Sequence, residues 1–150
     1  MARTARRVIA TALVLVLVTA CDPGMSGPAP FVLAYPTGYK VTSACGEGIT
    51  KVTVSRVNDQ GGGETYWIAE AHPEDASNEV TLFALNPGYS VTQVTGAMKP
   101  GADYDVQVNG GSGTSIVVGQ LRSGQGAWLS DTFDLTDLAA EQAKAKDQVC

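Results

Sequence analysis

Residues Gly96–Val108 read GAMKPGADYDVQV, and they decide the fold class. Pro100 and Gly101 make a turn, because proline presets its own φ and glycine tolerates the conformations that other residues avoid. Beyond that turn Tyr104, Val106 and Val108 alternate with Asp103, Asp105 and Gln107. A period of two places the first set on one face of a strand and the second set on the other, so the strand is buried on one side and wet on the other. The same grammar continues outward in both directions. Short apolar runs with period-two alternation, broken by glycine or proline every eight to twelve residues, predict an all-β domain with strands near 31–35, 49–57, 64–71, 79–85, 89–95, 102–109, 114–121 and 127–133. Gly61-Gly62-Gly63, Asn86-Pro87-Gly88 and Asn109-Gly110 supply turns between them. None of these glycine runs leads into a helix or is closely followed by a lysine or arginine, which argues against a phosphate-binding loop.

The stretch also resembles the corner that joins the two sheets in fibronectin type III and related immunoglobulin-like sandwiches. Met98, Pro100, Gly101, Tyr104, Val106 and Val108 hold the matching places. The resemblance implies an immunoglobulin-like β-sandwich in which Tyr104 buries its ring and bonds backbone just upstream through its hydroxyl. The chain departs from that pattern in placing Trp67 on the third candidate strand and in continuing past the last one. A fold of this kind carries no activity with it.

The first twenty residues read as a leader. Arg3, Arg6 and Arg7 precede an apolar run from Val8 to Val18, too short to cross a hydrocarbon layer of about 30 Å as a helix. Leu17-Val18-Thr19-Ala20-Cys21 resembles the lipobox of bacterial lipoproteins, and the whole chain resembles small lipoproteins of actinobacterial envelopes. That likeness implies cleavage before Cys21, a diacylglyceryl group on its thiol, and a location on the extracytoplasmic side of the cell membrane. Two acyl chains anchor stably where one does so only marginally. Residues 21–30, DPGMSGPAP after the cysteine, then form a flexible tether, and 31–150 form the folded domain.

With Cys21 acylated, Cys45 and Cys150 are the remaining thiols in an oxidising space, and a disulfide between them is expected. It closes a loop of about 100 residues, for which the chain-entropy model gives about 4–5 kcal/mol. The formal net charge is −5, and loss of Arg3, Arg6 and Arg7 with the leader makes it three units more negative. So acidic a domain is not built to bind nucleic acid or to hold an anionic membrane by charge.

The tail after residue 133 is predicted to be helical, with Asp134 as cap, Leu135 and Leu138 on one face and Lys144 and Lys146 near the end. The segment Glu79–Leu85 is apolar on both faces, and the helix or Phe31–Tyr35 is expected to cover its second face.

Catalysis finds little support, and no cofactor motif is present. His72 is the single histidine, in AHPEDASNE, and there is neither G-x-S-x-G nor H-E-x-x-H. A carboxylate-dependent glycan hydrolase is the least poor enzymatic reading, since two acids are all it needs. His72, Glu74, Asp75 and Glu79 offer ligands to a hard cation but lack the ordered spacing of a known loop, so a solvated loop is preferred and no metal is assigned. A non-catalytic binding or assembly module of the envelope is the leading expectation, with a structural spacer as its other rival. Its candidate contact face is Tyr66 and Ile68, turned outward if Trp67 points inward; Trp128 and Tyr89 are further candidates. The possible partners are an envelope protein, a glycan or a lipid.

Overall fold

A computed structural model describes residues 27–150; the leader, Cys21 and most of the expected tether lie outside the described residues. The described chain is mostly β, in two five-stranded antiparallel sheets with one short C-terminal helix. The first sheet has the order β10-β9-β1-β2-β5, with β1 Phe31–Tyr35, β2 Gly38–Thr42, β5 Glu79–Thr81, β9 Gln125–Trp128 and β10 Asp131–Asp134. The second has the order β6-β4-β3-β7-β8, with β3 Lys51–Val57, β4 Gly63–Ala71, β6 Tyr89–Val94, β7 Asp103–Val108 and β8 Gly113–Val117.

The inward residues of both sheets meet in one core, which gives the fold its sandwich-like form. Val32, Ala34, Val41 and Val80 come from the first sheet; Val52, Val54, Trp67, Ala69, Val106 and Ile116 come from the second. Every one of them follows from strand alternation, since valine and isoleucine suit a pleated, half-buried surface. The Lys99–Ala102 turn brings the chain into β7: Ala102 N–H donates to the Lys99 carbonyl at 3.2 Å and Gly101 sits at φ 77°, where a Cβ would be strained.

β1 is buried on both faces, and its second face belongs to a separate cluster. Phe31 and Leu33 point away from the main core toward Trp128, Ala44, Ala29 and Ala145, with Phe133, Leu135 and Leu138 packed around them. Phe31 stacks on Trp128 at 5.5 Å between ring centroids and meets Phe133 edge-on at 5.7 Å. Gly126 makes room for this arrangement, because a Cβ there would lie 2.4 Å from the Phe133 ring. The lid is helix α1, Leu138–Val149, entered through a single 3-10 turn at Leu135–Asp137. Its far end is pinned by the disulfide Cys45–Cys150, with Cα atoms 5.7 Å apart.

Several expectations need correction. The helix covers β1 and β9, and the segment apolar on both faces is β1, not Glu79–Leu85. Strand β5 stops at Thr81, because Phe83 takes a left-handed backbone (φ 55°) and turns the chain. Residues 127–133 are two strands, since Leu129 (φ 57°) reverses the chain between β9 and β10. Strand β2 is additional to the expected strands, since GYKVT begins on a glycine and offers one inward valine. Asp134 does stand at the N-cap of the 3-10 turn that opens the helical tail and Asp137 at that of α1, but neither side chain makes a capping bond. The packed body begins before Phe31: Ala29 is buried, its carbonyl accepts from Trp128 Nε1 at 3.1 Å, and the Gly27 carbonyl accepts from Ser112 N–H at 3.1 Å.

Candidate functional site

The expected contact face is not on the surface as a pair. Tyr66 is only 5% exposed, because β4 carries one extra residue opposite β3: Val54 pairs with Trp67 and Ser55 with Thr65, leaving Tyr66 as the bulge. A bulge breaks the period of two, so Tyr66 and Trp67 both turn into the core. Tyr66 meets the Tyr104 ring edge-on at 5.5 Å, while Trp67 stacks on Phe83 at 5.4 Å. Ile68 does remain on the outward face, half-buried between polar neighbours Thr53 and Gln93. Sequence alternation had no signal for the extra residue.

Tyr104 is wholly buried, and its hydroxyl accepts from the Lys99 backbone N–H at 2.9 Å, across the turn that holds Pro100 and Gly101. Trp128 lies in the cluster beneath the helix. The Tyr89 hydroxyl donates to the Ile49 carbonyl and accepts from Ser77 N–H at 3.0 Å, which ties β6 to the loop before β5. His72, Glu74, Asp75 and Glu79 are exposed, and among the described residues no three such groups lie together in a way that could hold a metal ion. Glu79 instead takes Lys40 Nζ at 2.6 Å. That hydrogen bond, with the Glu79 charge behind it, holds the Lys40 ammonium above its ordinary pKa and fastens β5 to β2.

A surface feature that the sequence did not announce lies just past β5. Leu82–Leu85 loops out of the first sheet and over the β4–β6 edge of the second. Asn86 closes the loop: its Oδ1 accepts from Thr81 N–H at 2.8 Å, and its Nδ2 donates to the carbonyls of Thr81 at 2.8 Å and Ala84 at 3.1 Å. Inside this clamp Phe83 pays for its left-handed backbone, at about 1–3 kcal/mol for a non-glycine residue, with the stacking on Trp67. Leu85 is thrown outward and is 92% exposed; across the β6 edge Val94 is 64% exposed. Between them opens a pit of about 220 Å³ lined by the apolar side chains of Trp67, Phe83, Ala84, Leu85, Val91 and Val94.

No known protein family, curated protein or solved structure matches this chain. Among the described residues no helix is long and apolar enough to cross a membrane.

Proposed function

We propose that this protein is a lipid-anchored, extracytoplasmic, non-catalytic module of a bacterial envelope, of the small actinobacterial lipoprotein type, that docks another envelope protein through the Leu85–Val94 pit. The anchor is Cys21, on the strength of its lipobox and leader. The domain is an immunoglobulin-like, fibronectin type III-like sandwich; what supports that finer reading is Tyr104, buried and bonded to Lys99 N–H beside the Pro100-Gly101 turn.

The observation that carries the docking reading is the exposure of Leu85 and Val94 around a floor made by Trp67 and Phe83. A large aliphatic side chain held in water beside an apolar pit is the kind of surface that marks a contact with another protein. The occupant is an apolar side chain of a protein. The pit falls below the range of about 300–1,000 Å³ usual for small-molecule pockets, so it suits one or two side chains and is too small for a lipid tail. Alongside it runs β6, an edge strand whose sequence YSVTQV has no proline and no charge, so an extended segment of the partner can lie against it.

Photo-crosslinking in the native envelope tests this. A crosslinker placed at Val94 should give one discrete protein adduct, a crosslinker at the exposed Asp147 on α1 should give none, and Leu85→Glu should abolish the adduct. A lipid adduct at Val94, equal adducts at both positions, or an adduct indifferent to Leu85→Glu would overturn the proposal.

A further inference from the structure

We infer that the opposite edge of the sandwich carries a second binding site, for a primary alkylammonium group such as the end of a lysine side chain. There β8, the last strand of the second sheet, diverges from β9 and β10 of the first. The gap is a cavity of about 390 Å³, lined among others by Asp103, Ser115, Ile116, Gln120, Leu121 and Thr132. Ile116 and Leu121 are buried and belong to the main core, so the floor is apolar; Ser115, Gln120 and Thr132 are exposed and set a polar rim. An apolar floor with a few polar groups above it is the usual make-up of a ligand site.

Asp103 is the one ionisable side chain in the lining. Its Oδ1 is sealed from solvent without a hydrogen-bond donor, and among the described residues no ion pair reaches the carboxylate. Its strand neighbour Asp105 differs, being held by Gln107 Nε2 at 2.8 Å on Oδ2. A carboxylate stripped of water on one side and left unpaired makes its surroundings favourable to a cation.

The geometry also selects the cation. With Oδ1 sealed, Oδ2 alone is left to accept, so the two-point fork of a guanidinium has no counterpart and a compact ammonium with single-point contact fits better. A hard divalent ion takes six or more oxygens, and one carboxylate does not supply them. No aromatic ring lines the cavity to stack against a sugar face. Ile116 and Leu121 would sheathe a methylene stem while the rim hydroxyls and Gln120 take the remaining ammonium protons.

The test is an NMR titration of the isotopically labelled full chain with Nα-acetyl-lysine amide, beside the norleucine and arginine analogues. Lysine amide should produce saturable amide shifts centred on 103, 115–117 and 120–121, weakening as salt is raised. The norleucine analogue, lacking the charge, should bind at least about tenfold more weakly, and the arginine analogue no better than lysine. Asp103→Asn should lose about tenfold or more, whereas Asp105→Asn should leave the affinity unchanged. Should Asp103→Asn perturb the fold, Gln120→Trp, at an exposed rim position, should block the cavity with the melting temperature preserved. Absence of saturable shifts, equal binding of norleucine, tighter binding of arginine, or indifference to both Asp103→Asn and Gln120→Trp would each overturn the inference.

Discussion

The two apolar clusters of this domain are built by different rules. The core between the sheets comes largely from strands that announce themselves by alternation, and its members Val52, Val54, Val106 and Ile116 follow from a period of two. The cluster beneath the helix gathers Ala29, Phe31 and Leu33 from one end of the chain with Trp128, Leu138 and Ala145 from the other, and closes with a disulfide. Nothing local holds it together. The first core should therefore govern whether the domain folds, and the second should govern how its chain ends are retained.

Trp67→Ala removes the largest buried side chain of the first core, and should give the largest loss, about 3–5 kcal/mol. It also removes the floor of the Leu85–Val94 pit and the stacking partner of Phe83. Denaturant midpoints at unchanged slope measure it. A loss below about 1 kcal/mol would mean that the inter-sheet core is not the dominant one.

Replacing both Cys45 and Cys150 by serine attacks the second cluster alone, and should cost about 2–4 kcal/mol. The distinguishing readout is hydrogen exchange. Amides of Leu138–Val149 should lose protection in that variant while β3, β4 and β7 keep theirs, because local opening need not spread across a cluster that is separate from the main core. Uniform loss of protection would show that the two clusters fold as one unit.

What the sequence could tell follows the same division. The strands of the second sheet, the turns at Asn86-Pro87-Gly88 and Asn109-Gly110, and the pairing of the two cysteines were legible because each rests on local chemistry or on elimination. The departures come from residues that break the local rule: Tyr66 as an unpaired bulge residue, and Phe83 and Leu129 in left-handed turns where glycine or asparagine would normally signal them. The pit could not be foreseen for that reason, since it exists only because Phe83 turns back and Leu85 is pushed out. The double-faced burial of β1 was written in FVLAY, but its partner helix lies about 100 residues away and no period links the two.

Tyr104→Phe returns to the first core with a smaller change. The ring, packed against Tyr66, keeps its volume, and only the hydroxyl that accepts from Lys99 N–H is lost. The expected cost is about 1–3 kcal/mol, that of a part-buried donor left unpaired. Circular dichroism followed through urea titration resolves it. A cost under about 0.5 kcal/mol would detach the corner from the stability of the core and weaken the immunoglobulin-like reading with it.

The smallest expected effect lies at the start of the lid. A helix that supports itself usually begins with a side chain bonded to its free N–H groups, and losing such a cap costs about 1 kcal/mol. Asp137 occupies the capping position of α1 but makes no capping bond, and among the helix residues Ala145 alone is fully buried. The helix is thus held by the contacts of Leu135 and Leu138 at one end and by Cys150 at the other, and very little by its own terminus. Asp137→Ala should change stability by less than about 0.5 kcal/mol, the residue of a carboxylate's attraction to the helix N-terminus offset by alanine's better helical propensity. The comparison sharpens when the same substitution is made in the double-serine variant. There the tether at Cys150 is gone and the helix must persist on local interactions, so the effect should grow toward that of an ordinary N-terminal position. An effect near 1 kcal/mol already present in the disulfide-bonded protein would show that the lid stabilises itself, and that the second cluster is less dependent on its crosslink than its scattered composition implies.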